Sequence, residues 1–204
     1  MTSQTLVLLA AAGMTLVISG CGVLRPKEDP TRYFYLRALS QGQLTSRSNL
    51  GVGIGPVTVP GYLEHKEIVT AGPANDLILA EYHVWAEPFE KAVTRVVAKN
   101  VSRLLDSPAV VPFPDADVER DYNTTIIIRR FEMGANGVVR LDASYAIEGM
   151  SGSGRSSSAR SRSINVPVTQ PNNYAAVADS MSQALATLSN SIARDLRSLD
   201  RKDR

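Results

Sequence analysis

Apolar and polar residues alternate with the two-residue period of β-strands over much of the chain. The clearest runs are 122–132 and 139–148, which flank an Asn-Gly turn at 136–137 and so predict an antiparallel hairpin. Shorter runs predict further strands at 32–36, 50–59, 67–70, 77–79, 81–84 and 164–168. This pattern predicts a sheet of about six to eight strands.

Two longer segments repeat their apolar residues every three or four positions, which is typical of amphipathic helices. The first begins near Pro88 and ends near Asp106, and the second covers residues 174–199 before a charged tail at 200–204. Each has one apolar stripe, for which we expect core packing. The fold class predicted is α/β, with a single compact domain over residues 32–200. In it, two long amphipathic helices pack on a mixed β-sheet.

Two segments depart from these periods. Residues 51–55 read Gly-Val-Gly-Ile-Gly and precede Pro56, so this strand is predicted to have a bulge, a close backbone approach or an edge position. Residues 151–163 contain seven Ser and three Arg, which predicts a mobile loop or an extension of the hairpin. The three arginines either meet anionic headgroups or stay solvated; they are Arg155, Arg160 and Arg162.

The N-terminus has the features of an export signal. Residues 6–18 form an apolar run of 13 residues, whereas a membrane-spanning helix needs about 20. Small residues follow at Ser19 and Gly20, which predicts a lipoprotein signal peptide over residues 1–20. The segment before the run departs from the usual pattern because it has no Lys or Arg.

Cys21 follows this run directly, and the sequence Ile-Ser-Gly-Cys at 18–21 resembles the bacterial lipobox. That resemblance implies lipidation of Cys21 and a membrane anchor through its acyl chains. The alternative is a buried structural cysteine near the end of an ordinary signal. Residues 21–31 are predicted to be the lipidated cysteine and a short tether. Gly22 in place of Asp favours the outer membrane over the inner membrane.

Composition excludes several classes of function. Lys and Arg number 22 against 20 Asp and Glu, so a net charge of +2 gives no support for nucleic-acid binding. One Cys and two His cannot form a four-ligand zinc module. His65 and His83 lie in no metal-binding motif, and neither a serine-nucleophile elbow nor a phosphate-binding loop occurs. We therefore expect no catalytic residues, no metal and no cofactor.

Short motifs resemble those of the PqiC-like auxiliary lipoproteins of ABC-type transport systems. These are the lipobox, Tyr-Phe-Tyr-Leu at 33–36, Val-Thr-Val-Pro-Gly-Tyr-Leu at 57–63, and Trp-Ala-Glu-Pro at 85–88. The likeness covers residues 32–199. It departs at Phe89, where Leu is common, and at the insertion 151–163.

The resemblance implies a non-catalytic lipoprotein that faces the periplasm from the outer membrane. Its implied partner is an MCE-domain membrane protein of a system that moves lipids between the two membranes. Because such partners form rings, a homo-oligomer of this chain is a hypothesis. The alternatives are a structural or assembly lipoprotein of another envelope complex and a lipid-anchored hydrolase.

Five residues are candidates for contact with a partner or lipid. The loop from Val59 to Leu63 is rigid at Pro60 and presents an aromatic and an aliphatic side chain, which suits insertion into a partner. The alternative for this loop, and the favoured one for Trp85, is that these side chains cover the core. The candidates are Val59, Pro60, Tyr62, Leu63 and Trp85.

Overall fold

A computed structural model describes residues 28–39, 42, 49–114, 119–150 and 157–203. The signal peptide, Cys21, most of the tether and Arg155 lie outside the described residues. The strands are β1 (Arg32–Phe34), β2 (Val52–Thr58), β3 (Glu67–Ala71), β4 (Leu77–Trp85), β5 (Val110–Pro112), β6 (Tyr122–Met133), β7 (Val138–Gly149) and β8 (Ser158–Pro167). The helices are α1 (Phe89–Leu105) and α2 (Tyr174–Lys202).

All eight strands belong to one mixed sheet with β6 at its centre. One edge of β6 pairs with β7 along its whole length, and β8 extends the sheet beyond β7. The other edge of β6 is shared by two strands that run parallel to it. The first half pairs with β2, followed by β5, and Met133 near the end pairs with β3, followed by β4 and β1.

Both helices pack on the sheet and on each other. α1 lies over β2 and β5, whereas α2 lies over β7 and β8. The predicted stripe of α1 is buried throughout: Phe89, Val93, Val96, Val97, Val101, Leu104 and Leu105. In α2, Leu185, Leu188, Ile192 and Leu196 are fully buried against the sheet face that carries Leu141, Ala143, Tyr145 and Ile147. The predicted α/β fold class is confirmed, as is the antiparallel hairpin of β6 and β7.

The glycines of β2 permit a close approach by the chain that follows β5. A Cβ at Gly53 would lie 2.5 Å from Asn123 Oδ1 and 2.9 Å from Arg120 Cδ. Gly55 has φ +131°, and a Cβ there would lie 2.2 Å from the carbonyl oxygen of Phe113. The register of β2 against β6 shifts at this point, which confirms the predicted bulge. The absence of a Cβ at Gly53 and Gly55 therefore leaves the space that these neighbouring atoms occupy.

Two sequence predictions on strand and helix limits were wrong. The separate strands at 77–79 and 81–84 are one strand, β4, because the chain continues extended through Ala80. The charged tail at 200–204 is helical as far as Lys202. For the segment 151–163, the predicted extension of the hairpin is confirmed from Ser158 onward, since β8 pairs with β7 from Ser158 to Pro167.

Two arginines of this segment contact α2, an outcome that neither sequence alternative described. The Arg160 Nε atom lies 3.6 Å from Asp195 Oδ2, and Arg162 Nε donates to Ser191 Oγ over 3.3 Å. Both therefore help to hold the edge strand β8 against the helix.

Candidate functional site

The loop predicted to insert into a partner folds back onto the domain. Residues Gly61–Leu63 form one turn of 3-10 helix, closed by a 2.9 Å hydrogen bond from the Leu63 N–H to the Pro60 carbonyl. Val59 and Leu63 are buried, as the core alternative expects. Pro60 and Tyr62 are half-buried, so for these two residues contact with a partner stays a prediction.

Tyr62 anchors this turn to the end of β6. Its hydroxyl donates a 2.7 Å hydrogen bond to Glu132 Oε2, which also accepts from the Phe131 N–H at 3.0 Å. The other carboxylate oxygen of Glu132 accepts a hydrogen bond from Arg130 Nε. Burial, and then the bond to Glu132 and its charge, raises the pKa of Tyr62 far above its usual value. Tyr62 is thus a hydrogen-bond donor that joins this turn to Glu132 of β6.

Trp85, the fifth candidate, lies in an aromatic cluster of the core. Its ring centroid is 5.3 Å from that of Phe89, which in turn lies 5.6 Å from Phe131. These three rings join β4, α1 and β6, and Trp85 is buried. The sequence favoured a core position for Trp85, and the structure places Trp85 in the core.

The two histidines occupy different environments. His83 lies between two rings, 5.6 Å from the Phe34 centroid and 4.3 Å from the Tyr174 centroid, and so links β1, β4 and the start of α2. His65 is exposed in the connection before β3. Within the described ranges, no cluster of three His, Cys, Asp or Glu side chains is placed to hold a metal ion.

Several apolar side chains of β1 and β4, and Tyr35 just after β1, are exposed. They are Tyr33, Tyr35, Leu77, Ile78, Leu79 and Tyr82, each more than 40% exposed. Tyr33 is in register with Val84 near the end of β4, whereas Leu77, Ile78 and Leu79 lie at its start. Side chains alternate between the two faces of a strand, so Ile78 points to the face opposite Leu77 and Leu79. These side chains are therefore spread over both ends and both faces of β4, and the sequence analysis assigned them no role.

A second open surface lies on β6, β7 and β8, on the face of the sheet away from the helices. It is a depression of about 310 Å³ that is lined mainly by small side chains, with Ile127 as its largest exposed apolar residue. The lining includes Thr125, Ser144, Ala146, Ala159 and Ser161. We call it the β6–β8 surface. Its shallow shape differs from the enclosed pockets that hold small molecules.

A comparison with protein families gives a match over residues 35–193, to the ABC-type transport auxiliary lipoprotein component. The chain belongs to this family. The match covers most of the chain and confirms the resemblance that the short motifs indicated. No matching relative is found among curated proteins.

Two crystal structures resemble the fold of this auxiliary lipoprotein. Protein XCC0632 from Xanthomonas campestris, of family DUF330, is 15% identical with a TM-score of 0.70, over 85% of this chain and 98% of that one. A second, described as an uncharacterized protein, is 17% identical with a TM-score of 0.66, over 81% and 98%. At these identities the likeness concerns the fold.

Family membership makes this chain a lipoprotein component of an ABC-type transport system. In the part of the chain that the structure describes, neither helix is apolar and long enough to cross a membrane. Cys21, the predicted lipidation site, lies before the matched residues and outside the described ones. Its lipidation stays a prediction.

Proposed function

We propose that this auxiliary lipoprotein is a non-catalytic docking component of an MCE-type ABC transport system that moves lipids between the inner and outer membranes. Acylated Cys21 holds it in the outer membrane, and the folded domain faces the periplasm. It binds the MCE-domain membrane protein of the same system. The family match over residues 35–193 is the observation that carries this proposal.

The shape of the β6–β8 surface supports docking of a protein. The helices cover the opposite face of the sheet, so this face is open to a large partner. Small side chains let another backbone approach closely, and Ile127, 48% exposed, offers an apolar anchor at the centre. We therefore assign the docking role to this surface.

Charged residues at one end of the same face add electrostatic specificity. The register of β6 against β7 shifts between Ile128 and Arg130, and this bulge places Arg129 and Arg130 beside the β7 pair of Arg140 and Asp142. The bond that Arg129 makes here is to a neutral hydroxyl: it donates to Ser144 Oγ over 3.0 Å. A patch of this kind favours an acidic surface on the partner.

Asp142 is held as an anion in this patch. Burial alone would raise its pKa, but hydrogen bonds from Ser163 and Arg140 outweigh burial and lower the pKa below its ordinary value. The Arg140 Nε atom lies 2.7 Å from Asp142 Oδ2. The arrangement of Arg140 and Asp142 is therefore fixed at the pH of the periplasm, as a docking surface requires.

In-cell crosslinking tests the proposal. A photoreactive amino acid is placed at Ile127, and the crosslinked products are identified by mass spectrometry. The control is the same group at Gln183, an exposed position of α2 on the helical side. We expect an MCE-domain protein to be recovered from position 127 and not from position 183.

The alternative outcomes separate the competing functions. Recovery of cell-wall or porin-assembly proteins from position 127 would support a structural or assembly lipoprotein instead. Recovery of the MCE-domain protein from position 183 alone would keep the partner but reject the β6–β8 surface.

A further inference from the structure

Three strands lie at edges of the sheet in the described part of the chain, and one of them is long. β1 and β5 have three residues each, and short edge strands are one way in which proteins avoid pairing with other chains. β8 has ten residues, Ser158–Pro167, and it pairs with β7 alone, without a register shift. Its outer side is therefore a regular row of backbone hydrogen-bonding groups.

The hydrogen bonds to β7 show which backbone groups of β8 point outward. The Val168 N–H donates to the Gly137 carbonyl over 2.9 Å, and these two residues continue the register of β7 and β8 by one pair. In an antiparallel pair, residues that bond the neighbouring strand alternate with residues whose N–H and C=O point away from it. The outward groups of β8 therefore belong to every second residue: Ala159, Ser161, Ser163, Asn165 and Pro167.

Two of the outward carbonyls are covered by arginines of β8 itself. Arg160 Nη1 donates to the Ala159 carbonyl over 3.2 Å, and Arg162 Nη1 donates to the Ser161 carbonyl over 3.1 Å. These bonds agree with the outward direction that the register gives to both carbonyls. They also place both guanidinium groups beside the outer edge of the strand.

The second half of the edge is open. Pro167 has no N–H, and its carbonyl accepts a 3.3 Å hydrogen bond from Ser180 Oγ. Ser163 and Asn165 are exposed, and among the described residues β7 is the only strand that pairs with β8. The N–H and C=O groups of these two residues thus form a set of four, and an added antiparallel strand would make two hydrogen bonds with each residue.

The charge beside this edge favours an acidic occupant. Arg160 and Lys202 line the space between the start of β8 and the end of α2, together with Asp195. Arg162, the next residue on the same side of β8, bonds the neutral hydroxyl of Ser191. The positive groups outnumber the carboxylate, so acidic side chains are attracted to this side. A second copy of β8 would bring the same positive groups and gains no such attraction.

We propose that the outer edge of β8 receives an extended acidic segment of the docked partner as a ninth strand, bonded to the backbone of Ser163 and Asn165. This inference rests on the proposed function for the identity of the partner. Ala159 and Ser161 line the β6–β8 surface, so a partner docked there lies next to this edge. Main-chain hydrogen bonds then supply affinity, and acidic side chains beside Arg160 and Arg162 supply specificity.

Substitution by proline at an outward position tests the proposal. Asn165→Pro removes an outward N–H and leaves the hydrogen bonds to β7 in place, since the neighbouring residues make those bonds. Asn165→Ala is the matched variant, because it loses the same side chain and keeps the N–H. The difference between the two variants therefore isolates one backbone hydrogen bond.

The readout is in-cell crosslinking of the full chain. A photoreactive amino acid is placed at Ser161, which is exposed and lies beside the edge. We expect the yield of the crosslinked MCE-domain protein to be several-fold lower for Asn165→Pro than for Asn165→Ala. We also expect mass spectrometry to find Asp or Glu in the crosslinked peptide of that protein.

A second pair of variants separates binding from folding. Ser163→Pro and Ser163→Ala both lose the hydroxyl that bonds Asp142, and they also differ in one outward N–H. The thermal unfolding midpoint is measured for all four purified variants. The yields are compared within each pair whose two midpoints agree.

The outcomes distinguish this inference from the proposed function. Equal yields from the proline and alanine variants, with the MCE-domain protein still recovered from position 127, would overturn the added strand and leave the proposed function standing. A second copy of this chain as the product from position 161, or a crosslinked peptide without acidic residues, would overturn the proposed occupant. Absence of the MCE-domain protein from positions 127 and 161 of the parent chain would overturn the proposed function itself.

Discussion

At the residue scale, Gly55 is the position of β2 with the least tolerance for a side chain. Its φ of +131° lies in a region that residues with a Cβ rarely adopt, and the space beside it is filled by the Phe113 carbonyl oxygen. Phe113 is fixed there by a 2.8 Å hydrogen bond from its N–H to the Ile54 carbonyl. The backbone on both sides is therefore unable to move away cheaply.

We predict that Gly55→Ala destabilises the domain by on the order of 3 kcal/mol, because backbone strain and overpacking act together. Urea unfolding followed by circular dichroism measures the change. Gly61→Ala is the matched control, since a Cβ at Gly61 would meet no atom within 4 Å. It should change the free energy of unfolding by less than about 0.5 kcal/mol. A similar loss for both variants would contradict the account of β2.

At the scale of elements, a polar group joins β7, β8 and α2. The hydroxyl of Tyr145 donates a 2.9 Å hydrogen bond to Asp195 Oδ2, and Arg160 approaches the same oxygen. Burial, followed by the bond to Asp195 and its charge, raises the pKa of Tyr145 well above its ordinary value of 10. The folded state thus holds this proton under conditions in which the unfolded chain releases it.

This gives a prediction for stability at alkaline pH. Above pH 10 the unfolded chain loses the Tyr145 proton and the folded state keeps it, so the free energy of unfolding falls as the pH rises. The contribution is at most about 1.4 kcal/mol per pH unit. Chemical denaturation between pH 9 and about 11 should therefore show a shallower decline for Tyr145→Phe than for the parent protein.

Tyr62→Phe provides a second, independent measure of the same effect. The Tyr62 pKa is also raised, first by burial and then by Glu132. Tyr62→Phe should therefore reduce the decline of the free energy of unfolding with pH by a comparable amount. The double variant should show both reductions, because the two phenols contact different acids. An unchanged slope in either variant would mean that its hydroxyl ionises equally in the folded and unfolded states.

At the scale of the whole molecule, residues Thr31–Arg204 form one compact unit with its own core. Cys21, the predicted lipidation site, precedes this unit in the sequence. We predict that Cys21→Ala moves the protein from the membrane fraction to the soluble fraction and leaves its thermal unfolding midpoint unchanged. Cell fractionation and calorimetry measure the two quantities. Retention of the variant in the membrane fraction would show that the anchor is not the acylated cysteine.

The sequence by itself determined the class of fold and most of its elements. Alternation in 139–148 and the three-to-four spacing in α1 are local periods, and each matches the geometry of one element packed on one apolar core. The Asn-Gly turn closed the hairpin for the same local reason. Short motifs also identified the family, since the match over residues 35–193 confirms the resemblance.

Only the tertiary structure decided which surfaces remain for function. Burial of Trp85 depends on the rings that α1 and β6 bring beside it, and Val59 and Leu63 are buried in the same core cluster. No local pattern shows those neighbours. The two arginines of β8 read as loop residues because their partners, Ser191 and Asp195, lie about thirty positions away. The exposure of Leu77–Leu79 depends on which elements pack over β4, and that is decided by the whole fold. Contacts between residues far apart in the sequence decide which side chains are buried. The sequence therefore indicates where a helix or strand lies but not which of its faces remains exposed.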